Sequence, residues 1–390
     1  MEKSSSRLDL LLYAHDGRGF GHASRSAAIG MALRRLFPHL TVLLVTGCRF
    51  TTELIAGAPL DWLKLPSYAT RVVAGRSIGI TGFSMFSDRQ LADLRAAELA
   101  HLVKLYRPRL VLVDHTPQGK HRELVPAFAA AGSETRWVLG VRGVLGEVSQ
   151  ARSDLARQLF VDHYHRLLWY GDSRVLGPDH CRQLAEQYSC RPVECGYVLR
   201  LAELAHWRGT PPSPREPIAG VISVPWIGEK TLAFFRALAE AVARIPASHG
   251  IWRGFLEDPH GEVAQLFGDT ANCRLEATGA HYVEALLQAQ CLVTYGGYNS
   301  LMDVLHARLP ALMVLREMND AEQEIHLASL VRATGKLFAT IPEAEPSSDQ
   351  LEAILLERLE HDGRLAAPAI DTDGAAAAAG CLHNLIQASC

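Results

Sequence analysis

No stretch of this chain approaches the ~20 consecutive apolar residues that a bilayer-spanning helix needs. The N-terminal Met1-Glu2-Lys3-Ser4-Ser5-Ser6 also lacks the apolar centre of a secretion signal. A soluble, cytoplasmic protein without a transmembrane segment is therefore expected. Blocks of positive charge are missing as well: 39 Lys and Arg stand against 42 Asp and Glu, a formal charge of -3. That balance excludes a nucleic-acid partner held by phosphate neutralisation. The eight cysteines lie scattered, at 48, 181, 190, 195, 273, 291, 381 and 390, with no CxxC pair. A disulfide scaffold is excluded, and reduced thiols are expected. His163 and His165, and His115 and His121, are spaced suggestively but have no companion Cys or Asp set, so no metal site is expected.

What is present is apolar residue in quantity: 48% of 390 residues are hydrophobic, more than one core usually accommodates. Two domains follow. The run from Leu8 to Ala14 is almost wholly apolar, as in a parallel strand covered on both faces. A glycine-rich loop, His15-Asp16-Gly17-Arg18-Gly19-Phe20-Gly21-His22, leads into a helical pattern ending near Pro38 and a second strand, Thr41 to Val45. The loop's glycine spacing differs from GxGxxG, and no acidic residue closes the second strand, so a dinucleotide fingerprint is not indicated. Residues 66–88 show little periodicity and read as a long loop. Further strand and helix signals alternate up to Val193–Val198, and His22, Asp114 and Arg142 fall at strand ends, where ligands of open α/β sheets bind.

Composition changes at Thr210-Pro211-Pro212-Ser213-Pro214, a semi-rigid linker. A second β/α series begins at Ile218. The expected organisation is α/β with two Rossmann-like doubly wound domains facing each other across a cleft: an N-terminal domain over 1–205, a linker at 206–217, a second domain over 218–373 and a closing helix at 374–390. In the second domain Cys291-Leu292-Val293-Thr294 reads as a buried strand. Gly296-Gly297 reads as a turn, with Leu301, Val304 and Leu305 at helical spacing behind it. Unpaired N–H groups and the positive dipole end of such a helix favour a phosphate, and glycine lets it come close.

Several of these stretches, in their order, resemble the glycosyltransferases of the GT-B fold, in the branch of the peptidoglycan N-acetylglucosaminyl transferase MurG and its relatives. The resemblance spans most of the chain: Gly19-Phe20-Gly21-His22-Ala23-Ser24-Arg25, Asp114-His115-Thr116-Pro117-Gln118-Gly119, Tyr170-Gly171-Asp172 and Gly196-Tyr197-Val198. The most specific piece is Gly296-Gly297-Tyr298-Asn299-Ser300 with Asp303, followed by Arg316 and Glu322-Gln323. The resemblance implies transfer of a sugar from a nucleoside diphosphate sugar, a UDP-sugar being favoured, with inversion and without a cofactor or metal.

On that reading the Asn299 helix and Arg316 meet the diphosphate, Asp303 the ribose, and Glu322 and Gln323 the sugar or ribose hydroxyls. His22 is the general base, because imidazole titrates near neutral pH. Gly19, Phe20, Gly21, Arg25, Asp114, Arg142 and Trp226 line the acceptor side or the cleft. The residues alone leave other roles open: a helix-capping His22, a solvated Asp303, first-turn Glu322 and Gln323, and an Arg316 paired on the surface with Glu317 or Glu322. There are departures from the family pattern. Pro225-Trp226 replaces a glycine loop, Asp303 stands where Glu is common, and Arg316 follows Leu315 where the relatives tend to have Pro. The same donor site would also serve a nucleotide-sugar hydrolase or epimerase, or a non-catalytic nucleotide-sugar-binding protein. The acceptor is left open, and nothing in the pattern bears on oligomeric state.

Overall fold

The structure, a computed structural model, describes residues 7–15, 20–73, 76–82, 84–144, 151–208, 216–224, 227, 230–268, 270–279, 281–316, 322–344, 346–360 and 369–388, the side chains of 70–78 excepted. The chain forms two compact units, Met1–Trp207 with Ile370–Cys390, and Arg208–Ala369. Ile370 to Asp373, expected in the second domain, thus group with the first. The proline-rich stretch at 210–215 lies outside the described residues.

The first unit contains strands β1 (Leu10–Ala14), β2 (Val42–Thr46), β3 (Asp61–Lys64), β4 (Ala69–Val73), β5 (Arg76–Ile80), β6 (Leu110–Asp114), β7 (Arg136–Arg142), β8 (Tyr164–Tyr170) and β9 (Val193–Glu194). Seven of them make a parallel sheet in the order β3-β2-β1-β6-β7-β8-β9. β1, β2 and β6 are buried along their whole length, which is why they read as unbroken apolar runs. The strand expected over Val193–Val198 stops at Glu194, because the chain turns at Gly196 (φ +83°). β4 and β5 replace part of the loop expected over 66–88 with an antiparallel hairpin. A hairpin lying outside the main sheet lacks the apolar runs that mark strands buried on both faces.

The second unit contains β10 (Ile218–Val224), β11 (Ile251–Leu256), β12 (Cys273–Ala277), β13 (Cys291–Tyr295), β14 (Ala311–Leu315) and β15 (Phe338–Pro342). They form a parallel sheet ordered β12-β11-β10-β13-β14-β15. In each sheet the first strand lies between the second and the fourth of the main series, so the winding reverses between β1 and β6 and again between β10 and β13. Ligands bind beyond the carboxyl ends of strands at such reversals.

The helix Gly21–Leu36 begins just beyond β1 and is buried from Ala23 through Leu33. Its small residues let neighbours approach closely: a Cβ on Gly30 would lie 2.7 Å from Leu60 and 2.9 Å from Leu12. The closing helix Gly374–Gln387 buries Ala375, Ala378, Ala379, Leu382 and Ile386 in the same unit. Its start is bound to two of the motifs. Asp172 accepts from the Asp371 N–H (2.8 Å), and the Gly374 N–H donates to the Tyr197 carbonyl (3.0 Å). Among the described residues no helix is long and apolar enough to cross a membrane, and no cluster of His, Cys, Asp or Glu has a metal-binding arrangement.

Candidate functional site

At the reversal in the first sheet, β1 delivers His22 and the adjacent β6 delivers Asp114. His22 is the second residue of its helix, and Arg25 lies one turn further on the same face. Arg25, 1% exposed, donates through Nη2 to Asp114 Oδ1 (2.7 Å) and through Nε to Asp114 Oδ2 (3.0 Å). His22 Nδ1 lies 2.5 Å from Asp114 Oδ1. A carboxylate gripped by a guanidinium fork only accepts, so the shared proton is assigned to His22 Nδ1 and the lone pair to Nε2. Arg25 Nη2, 3.0 Å from the same ring nitrogen, is then a second donor to one oxygen and no partner for the ring. Burial, and then the charges of Arg25, Arg142 and Lys120, hold the His22 pKa well below the usual imidazole value. At neutral pH His22 is an uncharged ring with Nε2 ready to take a proton.

Two more histidines flank it. The His15 ring centroid is 4.1 Å away and that of His115 5.4 Å. His115 is buried and His15 half-buried, and both pKa values are held well below the usual imidazole value, by desolvation first and then by His22 and Lys120 at His15 and by Arg142 and His22 at His115. Of the other expected acceptor-side residues, Phe20 packs edge-on against Phe50 (4.8 Å), Gly21 opens the helix, and Arg142 is half-buried at the end of β7. Gly19 and Trp226 lie outside the described residues.

Beneath this site, Glu123 anchors a buried network that the sequence did not reveal. Arg95 Nε and Nη2 donate to its two oxygens (2.6 and 3.0 Å), Tyr68 donates to Oε2 (2.9 Å), and Tyr13 donates to Oε1. Arg95 also donates to the Pro66 carbonyl (2.7 Å), tying the 66–68 segment to the loop that follows Asp114. The remaining histidines are dispersed. His163 stacks on Phe128, His165 Nδ1 accepts from the Trp137 N–H (3.3 Å), and His121 sits against Tyr68.

In the second unit β13 ends at Tyr295, and Gly297 caps the helix Tyr298–Ala307. Gly297 has extended backbone (φ −72°, ψ 152°), and an added Cβ there would meet nothing within 4 Å. Glycine at this point is not required by the fold; it leaves open space at a helix N-terminus. Tyr298 is buried, while Asn299 and Ser300 are half-buried in the first turn, Ser300 Oγ accepting from the Thr294 hydroxyl (3.3 Å). Asp303 is half-buried and accepts from the Tyr282 hydroxyl at 3.3 Å. Glu322, 6% exposed, and Gln323 begin the helix Glu322–Thr334. An ideal Cβ on Gly296 would lie 3.5 Å from Gln323 Oε1, a buried oxygen with no hydrogen-bond partner among the described residues.

Arg316 is placed differently from the expectation that it faces a diphosphate. It is buried, and Nε donates to both oxygens of Glu343 (3.1 and 3.0 Å) while Nη2 donates to Thr231 (3.0 Å). Its guanidinium carbon lies 4.0 Å from the Tyr295 ring centroid, and the Tyr295 and Thr231 hydroxyls donate to Glu343 (2.8 and 2.7 Å). Arg316 therefore ties together the ends of β13, β14 and β15. Glu343, 27 positions away, was invisible as its partner because only the parallel strand pairing brings them together.

Comparison with known proteins adds the fold. No family model matches the chain, and no curated protein matches it. Among solved structures, the glycosyltransferase of kitacinnamycin is 17% identical, with a TM-score of 0.55 over 98% of this chain and 96% of the other. MnaA of S. aureus, solved with UDP, is 11% identical (TM-score 0.61; 97% and 96% covered). A Listeria monocytogenes protein described as a UDP-N-acetylglucosamine 2-epimerase is 14% identical (TM-score 0.63; 95% and 94%). The chain has the GT-B fold, with two Rossmann-like units.

Proposed function

We propose that this protein is a glycosyltransferase that moves a sugar from a nucleoside diphosphate sugar, a UDP-sugar being favoured, to a hydroxyl acceptor. The observation that carries this reading is His22: an uncharged imidazole at a sheet reversal, its Nδ1 committed to Asp114 and its Nε2 left as the base. Nε2 takes the proton of the acceptor hydroxyl, the oxygen attacks the anomeric carbon, and the carbon–phosphate oxygen bond breaks with its electron pair leaving on the diphosphate. Direct displacement of this kind inverts the anomeric centre. Charge developing on the leaving group is met by the N–H groups at the start of the helix Tyr298–Ala307, a preorganised electrostatic effect that needs no metal. Asp303 holds the ribose hydroxyls, and Gln323, with Glu322 beside it, addresses the sugar. Arg316 acts by positioning the strand ends.

Thermal shift with UDP-, TDP- and GDP-sugars tests the donor. A ligand at ~100 times its Kd stabilises the fold by about 2.7 kcal/mol, so one class of nucleotide sugar raises Tm clearly. A flat panel at millimolar ligand overturns the reading. The likeness to an epimerase-described structure supports a second reading, in which the same site serves an epimerase or hydrolase. Incubation with nucleotide sugar alone separates the two: rapid donor conversion without acceptor establishes the second.

A further inference from the structure

Four buried polar atoms have no hydrogen-bond partner among the described residues: His15 Nδ1 and both ring nitrogens of His115, whose rings flank His22, and Oγ1 of Thr116, the residue after His115. His115 is 4% exposed and Thr116 3%. His115 also has φ +90°, a conformation that non-glycine residues rarely adopt, while its N–H bonds the Gly140 carbonyl (2.9 Å) on the neighbouring strand. Strained backbone and orphaned polar atoms each lower stability, and strained residues cluster at active sites and ligand clamps. Each of these atoms is shut off from bulk solvent. The neighbouring His22 side chain is 16% exposed.

We propose that the acceptor is a polyol presenting a second hydroxyl next to the one His22 deprotonates, and that the His115 ring and the Thr116 hydroxyl hold that second hydroxyl. This rests on the reading of His22 as acceptor base. The chemistry selects the ligand class. An uncharged imidazole offers one donor and one acceptor, and a hydroxyl both donates and accepts, so the two are complementary. A monohydric alcohol or a phenol engages His22 and leaves the other atoms unsatisfied. A carboxylate answers the donors and leaves the accepting ring nitrogen unpaired. A sugar or cyclitol ring, with adjacent hydroxyls on a rigid frame, fills both roles.

The test uses the full chain with ¹⁵N-labelled histidine and follows the ring nitrogens by NMR. The resonances of His115 are assigned by their loss in His115→Phe. The probes are methyl α-D-glucopyranoside, methyl α-D-mannopyranoside, methyl β-D-galactopyranoside and myo-inositol, with cyclohexanol and 4-methylumbelliferone as monohydroxyl controls. At least one polyol is expected to shift the His115 resonances, and the controls are not. Thr116→Val, which removes only an unpartnered hydroxyl, is expected to weaken that polyol about tenfold while Tm stays level or rises. A merely structural Thr116 would instead lower Tm and leave the affinity alone. His115→Gln, keeping one donor and one acceptor, is expected to retain more affinity than His115→Phe. The proposal is overturned if no polyol moves the His115 signals, if the controls move them equally, or if Thr116→Val binds as tightly as the parent. UDP added to the same samples keeps the two readings apart: a UDP response without a polyol response sinks only the acceptor proposal, and the reverse sinks only the donor site.

Discussion

A histidine becomes a useful base when one nitrogen is spoken for and the ring stays uncharged, and His22 meets both conditions through neighbours distant in sequence. Asp114 fixes the tautomer, Arg25 fixes Asp114, and burial beside three cations disfavours the imidazolium. His22→Ala is therefore expected to lower transfer about 10²- to 10⁴-fold. The Kd for UDP should remain within about twofold, since that ligand is assigned to the other unit. Steady-state kinetics alongside calorimetric UDP titration checks this; unchanged turnover would mean a nucleotide-sugar-binding protein without catalysis. The acidic limb of kcat/KM is expected below the ordinary imidazole pKa of about 6.5, because His22 resists protonation. His22 itself was visible in the sequence as a histidine in a glycine loop at a strand end. Its dependence on Asp114 was not, because 92 positions separate them and only the β1–β6 pairing brings them together.

At the scale of elements, the glycine turn before the helix Tyr298–Ala307 separates folding from binding. Gly297 has a backbone conformation open to any residue and empty space where a side chain would go. Gly297→Ala is accordingly expected to leave Tm level or slightly higher, by about 0.4–1 kcal/mol of reduced chain entropy. UDP affinity should fall at least about tenfold, because the added methyl occupies the approach of the phosphate. Melting curves with and without UDP read both effects, and an unimpaired UDP shift would remove the helix N-terminus from the donor site. The strand–turn–helix layout here was readable from the run Cys291–Thr294 and the spacing of Leu301, Val304 and Leu305. The hairpin of β4 and β5 was not, since two strands outside the main sheet carry no strong apolar periodicity.

Over the whole molecule, three desolvated histidines, His15, His22 and His115, link stability to pH. Their folded pKa values lie below the unfolded value of about 6.5, so beneath that pH the unfolded chain binds protons that the folded chain refuses. Stability is therefore complete above about pH 6.5 and is lost as pH falls, by up to about 1.4 kcal/mol per pH unit for each ring. Denaturant unfolding at pH 7.5, 6.5 and 5.5 should show the decline, and His115→Phe should make it shallower. Equal stability at all three values would show that the rings titrate in the folded protein as they do in the unfolded chain.

The amino-acid sequence by itself determined the alternation of strands and helices, the presence of two α/β domains and the positions of the two glycine loops that are proposed to face ligands. Those features rest on local periodicity, on glycine and on residues adjacent in the chain. Only the tertiary structure decided which charges are spent and which remain. It committed Arg316 to Glu343 and Arg25 to Asp114, tied Arg95 to Glu123, and left the His115 ring nitrogens beside His22, and the Thr116 hydroxyl, with no hydrogen-bond partner among the described residues. Parallel strands far apart in sequence end side by side, and a buried ionic group takes the partner that this pairing brings within hydrogen-bond reach. That choice has no signature in the order of residues.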